Sequence, residues 1–420
     1  MAQAAQSMTP AQKQAQIVNQ NMMARRAVIS QAVDMWQTIY TNTITSGPGS
    51  VINVPLRNVG LIKRFLLRVR ATITQPATPG TVTLTKLGIA NFFSNVTLTD
   101  LSNQQRINTA GWHLSMVQTA KRRRAYGSAM ILDSSSVAGT ANPFGIGNNW
   151  SGAGAPGSAA LTLPVNPPGV QFATQSITAV AGDQGEIDLM LEIPLAYSDH
   201  DLRGAIYANI NNATFNLQLT VNPNIFVASG ADPTLAMYQS SSAVLPTLTT
   251  FDIEVVQNYL DQLPRDQNNV VLLPMMDLST AYLLNNTAVS GVVNTQDNPI
   301  PYANFREFMS TVLIYDNAGN LNLGTDLNYI ALQSANFTNI WKVSPKVAAL
   351  WARLIFGDDP PNGMYYFDHR HKPINTRQYG NMELVVNPST VSGASAAFLV
   401  GWEALAIINL VTGAGSLFGT

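Results

Sequence analysis

The sequence predicts an all-β protein, two sandwiches or jelly rolls in tandem behind one amphipathic helix, and three observations carry that reading. The stretch Asn216-Leu217-Gln218-Leu219-Thr220-Val221-Asn222-Pro223 alternates apolar and polar residues as a half-buried strand does, and stops at Asn-Pro. It is echoed 165 residues later by Asn381-Met382-Glu383-Leu384-Val385-Val386-Asn387-Pro388, and a Tyr-x-Asp-His stands upstream of each copy, at Tyr197 to His200 and Tyr366 to His369. From Val51 onward the chain is a series of short strand-like runs between turn residues. A β domain copied once accounts for all three.

At 420 residues the chain is long for one core, and two domains of roughly 150–200 residues are expected. Hydrophobic residues make up 46% of it, but charged residues only 11%, against about 25% in ordinary soluble proteins. Surface that becomes the core of subunit contacts is depleted of charge in this way. A net charge of −1 argues against a protein whose main task is coating nucleic acid. The absence of Cys excludes disulfides, Cys-ligated zinc and thiol catalysis. The N-terminus lacks a signal-peptide layout. The apolar run from Ala396 to Val411 is interrupted by Glu403 and Asn409 and reads as a strand plus a tail, not a membrane span.

Residues 1–46 read as a helical arm. Thr9-Pro10 suits a cap and first turn, and Val18, Met22, Ile29, Val33, Trp36 and Tyr40 recur at helical spacing. The arm either packs on its own domain or a neighbour's, or sets its apolar stripe with Lys13, Arg25 and Arg26 against a lipid surface. Residues 47–245 form the first β unit. Leu61 to Thr74 is a long strand with Phe65, Leu67, Val69, Ala71 and Ile73 on one face; Lys63, Arg68 and Arg70 suggest that the other is wet. Further strand material lies at Thr81 to Leu87, Phe92 to Leu98, Met116 to Ala120, Ile187 to Pro194 and 216–223. Residues 133–170 are an insert rich in Gly, Ser, Ala, Pro and Asn, expected to be exposed or functional. The turn-rich stretch from Ala228 to Pro246 suggests a boundary, so residues 246–400 make the second unit and 401–420 a tail. Within that unit Phe251 to Val256 and Arg306 to Tyr315 read as strands, Ser279 to Asn285 as helix, and Asp316 to Asn320 as a turn.

No reactive site emerges. His369-x-His371 beside Asp368 has the look of a metal pair along a strand, but a third ligand would have to come from elsewhere, so no metal is expected. A Gly-x-Ser-x-Gly elbow is missing, and the carboxylate pairs Asp199/Asp201 and Asp358/Asp359 define no cleft by spacing alone. The densest charge is Lys121-Arg122-Arg123-Arg124, which suits phosphate of nucleic acid or lipid, or else is a solvated loop or pairs with a neighbour's acids. A glycan-binding or glycan-degrading double β-sandwich spike is the competing function, with Trp150, Trp341 and Trp351 as candidate sugar platforms.

Several segments resemble the major capsid proteins of tectiviruses, the icosahedral bacteriophages that carry an internal membrane. They are Ser7-Met8-Thr9-Pro10-Ala11-Gln12, Asn58-Val59-Gly60, Gly111-Trp112-His113-Leu114 with Thr119-Ala120-Lys121, and Pro194-Leu195-Ala196-Tyr197-Ser198. In the second half they are Tyr259-Leu260-Asp261-Gln262-Leu263-Pro264, Leu273-Pro274, Asp277-Leu278-Ser279-Thr280, Gly324-Thr325-Asp326, Ala335-Asn336-Phe337 and Gln378-Tyr379-Gly380-Asn381. The insert at 133–170 and the basic residues Arg122 to Arg124 depart from the family's pattern. The resemblance implies a non-enzymatic coat protein without cofactor: two eight-stranded jelly rolls standing perpendicular to the shell, a pseudo-hexagonal homotrimer that tiles with neighbouring trimers, and an N-terminal helix at the viral inner membrane. It further implies contacts with minor capsid and vertex proteins, no specific nucleic acid, a tail from Gly401 that ties neighbours together, and a place in the virion after assembly in the host cytoplasm.

Overall fold

In the computed structural model, residues 9–101, 103–126, 171–173, 176–208, 215–248, 250–304, 306–319, 326–336, 338–356 and 363–407 are described. Sixteen strands build two copies of one topology. The first eight are β1 (Val33–Ile44), β2 (Val51–Pro55), β3 (Leu61–Thr74), β4 (Phe93–Thr99), β5 (Gln105–Thr109), β6 (Gln184–Pro194), β7 (Asn216–Val221) and β8 (Phe251–Asp261). The second eight are β9 (Thr280–Ser290), β10 (Asn298–Pro301), β11 (Glu307–Asp316), β12 (Leu327–Ser334), β13 (Trp341–Val343), β14 (Met364–Asp368), β15 (Met382–Pro388) and β16 (Ala397–Ile407). One sheet of the first unit runs β1-β8-β3-β6 and the facing one β2-β7-β4-β5; the second unit runs β9-β16-β11-β14 and β10-β15-β12-β13. Adding eight to every strand of the first unit gives the second, and each is a jelly roll. The echoed octapeptides are β7 and β15, both central in their sheets.

The alternation that marks β7 places Leu217, Leu219 and Val221 inward, where they meet Phe65, Leu67 and Val69 of β3 in one apolar core. In the second roll Leu384 and Val386 of β15 share a core with Leu313 and Tyr315 of β11. Each such side chain contributes roughly 1.5–3 kcal/mol on burial. The three longest helices among the described residues decorate the rolls: α1 (Pro10–Gln31), α2 (Gly111–Tyr126) and α3 (Pro345–Phe356). α2 lies between β5 and β6, and α3 between β13 and β14, so the helices repeat too.

The structure corrects several boundaries. The helix stops at Gln31, and Val33, Trp36 and Tyr40 lie on β1, which pairs with β8 from Val33↔Asp261 to Ile44↔Phe251. Their spacing fits a helix, but Thr38-Ile39-Tyr40-Thr41 is β-branched and aromatic, and the partner strand decides. The first unit does not stop at 245, because β8 sits between β1 and β3 and buries Phe251, Ile253 and Val255 in the first core. Residues 228–246 are not a linker, since Tyr238–Ser240 pairs with Phe226–Ala228 and Val82–Leu84 in a small side sheet. Met116 to Ala120 is helix, not strand: every residue from Trp112 to Ala120 is buried, so no period is visible. Ser279 to Asn285 is mostly β9, whose Ala281 to Leu284 are buried on both faces and therefore do not alternate. The strand starting at Ala397 runs on to Ile407, past the expected tail boundary at 401. Lys63 on β3 is buried, where a wet face was expected. The insert at 133–170, Trp150, Asp358 and Asp359, and 408–420 lie outside the described residues.

Candidate assembly surfaces and the junction between the rolls

The two rolls are joined edge to edge. β5 of the first pairs in parallel with β9 of the second, Leu284 opposite Ile107 and Asn285 opposite Asn108, which makes one continuous sheet. α2 then lies against the second roll: Trp112, Met116 and Ala120 pack with Val312, Ile314, Tyr366 and Leu399. The approach is close enough to require glycine at 401, where a Cβ would fall 2.3 Å from the His113 ring.

At the centre of this junction sits Glu403, completely buried on β16. Its Oε1 accepts from the Tyr282 hydroxyl (2.8 Å) and lies 3.1 Å from Lys121 Nζ. Its Oε2 accepts from the Ser310 hydroxyl (2.7 Å) and from Arg370 Nη2 (2.5 Å). Burial alone would raise the Glu403 pKa, but the charges of Arg370 and Lys121 and the two hydroxyls hold it well below the usual carboxylate range. Lys121 also donates to the Tyr197 carbonyl (3.2 Å) and lies over the Tyr197 and Tyr282 rings at 4.9 and 4.2 Å. The two Tyr-x-Asp-His motifs thus converge here, Tyr197 through Lys121 and Tyr366 under Arg370 at 5.7 Å. Of the basic run, then, Lys121 is turned inward as a structural ion and not outward to phosphate. Arg122, Arg123 and Arg124 continue α2, and their side chains lie outside the described residues.

Of the four histidines, His113 and His369 are packing groups, and His200 and His371 are exposed. His113 is buried with Nδ1 2.7 Å from the Thr109 hydroxyl, and burial pushes it down to about 3. His369 stacks beside Trp341 and is pushed down to about 4 by burial and by Arg370. His369 and His371 follow β14 in a turn and so do not share a strand face. Among the described residues no group of three or more His, Asp or Glu side chains is arranged to hold a metal ion. The carboxylates Asp199 and Asp201 are used in ion pairs, with Lys63 and Arg64 and with Arg203.

α1 is tied to one end of the molecule. Thr9 and Gln12 form a capping box at its start. Further along, Asn21 donates to Asp277 Oδ1 (3.0 Å) and accepts from the Met276 N–H (2.9 Å), while Arg25 makes a two-pronged pair with the buried Asp277. Val28 is buried with Leu61, Leu202, Leu260 and Leu278, and Ile29 packs against the same cluster. Arg25 and Ile29 therefore anchor the arm to its own subunit. Lys13, Val18, Met22 and Arg26 stay exposed together with Ile17 and Met23, and Val33 and Trp36 are exposed on the neighbouring strand β1. Sequence reasoning missed a second apolar surface, the outer stripe of α3. Val347, Leu350, Trp351 and Leu354 recur at positions i, i+3, i+4 and i+7, and Leu354 is 79% exposed. The same period could have been read from the sequence.

Comparison with known proteins agrees with this geometry. Residues 2–263 match the family model for the P3 major capsid protein N-terminal domain, and residues 279–417 match the one for its C-terminal domain. The chain is 37% identical over 421 residues to the major capsid protein P3 of Enterobacteria phage PRD1, a tectivirus, covering 99% of each. Among solved structures it is similar to the STIV MCP, from Sulfolobus Turreted Icosahedral Virus (TM-score 0.56, 11% identity, 89% of this chain and 96% of that one). It is also similar to the Faustovirus major capsid protein (TM-score 0.51, 9% identity, 97% of this chain and 93% of that one). These comparisons support a coat protein and not the glycan-directed alternative.

Proposed function

The chain belongs to the P3 major capsid protein family and is a structural, self-associating subunit of a viral capsid, and we propose that it does so as a homotrimer of pseudo-hexagonal outline whose α1 end faces an internal membrane. The observation that carries the second part is α1 itself: pinned at Arg25 and Val28, it keeps Ile17, Val18, Met22 and Met23 exposed with Lys13 and Arg26. An apolar stripe flanked by cations is what an interfacial helix offers to lipid. Three chains set side by side bring six rolls into a ring, and charge-poor flanks suit large buried contacts. The α3 stripe is a natural part of such a contact. Segment 408–420 is assigned to ties between neighbouring subunits, and the finished trimers to contacts with minor capsid and vertex proteins after assembly in the host cytoplasm. Arg122, Arg123 and Arg124 serve as a contact for phosphate or for acidic partner groups.

Two measurements test this. Light scattering on purified protein should give a stable trimer. Deleting residues 1–31 should leave the trimer intact and abolish co-sedimentation with vesicles containing anionic phospholipid. A monomer overturns the first part, and unchanged vesicle binding overturns the second.

A further inference from the structure

A cavity of about 180 Å³ opens beside the α1 anchor, lined by Arg203, Thr280, Arg306, Glu307, Asn375 and the end of β16. It adjoins the arm because Thr280 follows the Met275–Leu278 turn that holds Asn21 and Arg25, and the Gly204 N–H faces the Asp277 carbonyl at 3.5 Å. The charges around it are unevenly shared. Arg203 is fully served by Asp201, which takes Nε at 3.0 Å and Nη2 at 2.6 Å, and Glu307 adds a second favourable charge. Among the described residues Arg306 has no carboxylate partner. Its Nε is buried without a hydrogen-bond partner, and its Nη1 donates at 3.3 Å to the Asn285 carbonyl, whose amide nitrogen donates to Leu284 O. Burial, with no acid to offset it, pushes the Arg306 pKa down. The side chain is held in place regardless, because its backbone N–H donates to Thr376 Oγ1 (3.0 Å) and its carbonyl accepts from Thr376 (3.1 Å).

A guanidinium that lines a polar cavity, half withdrawn from water and with no carboxylate partner among the described residues, is costly unless an anion completes it. We propose that the cavity binds a phosphodiester-type oxyanion with the Arg306 guanidinium as its donor, since the Thr280 hydroxyl is turned to the Met276 carbonyl (3.2 Å) and the Asn375 amide to Glu307 (3.4 Å). The volume is several times the roughly 30 Å³ of a water molecule, enough for a tetrahedral oxyanion with residual solvent. A single negative charge fits best, because Glu307 on the wall repels a second. The cavity chemistry stands on its own; only a lipid headgroup as the source of the phosphate rests on the membrane-facing reading of α1.

The test uses the full-length protein. Inorganic phosphate at pH 6, where it is chiefly monoanionic, should raise the unfolding temperature relative to chloride at equal ionic strength. Arg306→Gln should weaken phosphate binding at least about tenfold, and Glu307→Gln, which keeps every donor, should tighten it several-fold. Vesicles of phosphatidylcholine with phosphatidylglycerol that compete with phosphate identify lipid as the source; phosphate binding without such competition identifies free phosphate. Deleting residues 1–31 separates the two readings, because loss of vesicle binding with phosphate binding retained leaves the cavity assignment intact. No phosphate effect on the unsubstituted protein, or the same effect in both variants, overturns it.

Discussion

Lys121 of the first roll and Glu403 of the second stand 3.1 Å apart in a place that water does not reach on the carboxylate side. Two jelly rolls of one topology could sit at many angles, and an ion pair surrounded by Tyr282, Ser310 and Arg370 accepts few of them. The pair costs desolvation and need not add net stability, but leaving one partner alone is expensive.

Glu403→Gln therefore leaves Lys121 without its carboxylate and Arg370 with only Asp368 at 3.5 Å, and should destabilise the protein by about 3–5 kcal/mol. Lys121→Met should cost less, because Arg370 still serves Glu403. In a double-mutant cycle by urea unfolding, the two effects should be strongly non-additive. Additive losses would mean that the cluster does not couple the rolls.

Gly401→Ala tests the same junction by shape. A methyl group 2.3 Å from the His113 ring must displace α2, which is packed along its whole buried face. Overpacking typically costs about 1–3 kcal/mol and more where backbone has to move. The check is the unfolding midpoint of the variant, with His113→Ala as the relieving second substitution.

Acid should loosen the protein through its buried histidines. Their folded-state pKa values, about 3 for His113 and about 4 for His369, lie below the unfolded value near 6.5. As pH falls below 6.5 the unfolded chain takes up protons that the folded one refuses, so each histidine lowers stability by up to about 1.4 kcal/mol per pH unit. Asp316 acts in the opposite sense between about 6 and 4, since burial and the neighbouring Asp232 raise it to about 6 and it gains its proton first in the folded state. Two groups against one leave net acid lability. Urea midpoints between pH 7.5 and 5 should fall, and fall less steeply in His113→Gln.

The repeat was readable because β7 exposes one face and buries the other, so period 2 survives in its residues, while β15, buried from Leu384 to Pro388, shows itself only through its likeness to β7. Where an element is buried on all sides the period vanishes, which is why α2 resembled a strand and β9 a helix. β1 and β8 were divided between an arm and a second domain because what places them is their mutual pairing, a contact about 220 residues apart in sequence that no local pattern records. The junction was not read as such: the Tyr-x-Asp-His motifs stood only as marks of the repeat, and Glu403 only as an interruption in an apolar run. That interruption is the site, since a lone acid in a buried strand needs cations from elsewhere in the fold.

The α1 anchor should be separable from the fold. Asp277→Asn removes the charge that holds Arg25 while keeping the shape, and Arg25→Ala removes the other half. Either should loosen residues 10–31 and leave the rolls intact. Limited proteolysis followed by mass spectrometry should show new cleavage confined to α1, with the free energy of unfolding lowered by no more than about 1–2 kcal/mol. Global loss of protection would mean that α1 is integral to the first roll.

The α3 stripe makes the sharpest test of assembly. The inner face of the helix is satisfied, with Ala348 and Ala352 buried, while among the described residues Val347, Leu350 and Leu354 on the outer face stay exposed and Trp351, edge-on to Trp341 and Phe367, is 41% exposed. In a sequence with only 11% charged residues, four large apolar side chains on one short helix mark a contact surface more than a solvent face. Leu354→Glu adds a charge at the most exposed of them, so it should leave the monomer's circular dichroism and unfolding unchanged. In a trimer the same change removes burial worth roughly 1.5–3 kcal/mol from each of three copies and adds an unpaired charge in its place. Light scattering across a dilution series should therefore show dissociation of Leu354→Glu at concentrations where the unsubstituted protein stays assembled. A variant that assembles like the unsubstituted chain would place the subunit contact elsewhere on the rolls.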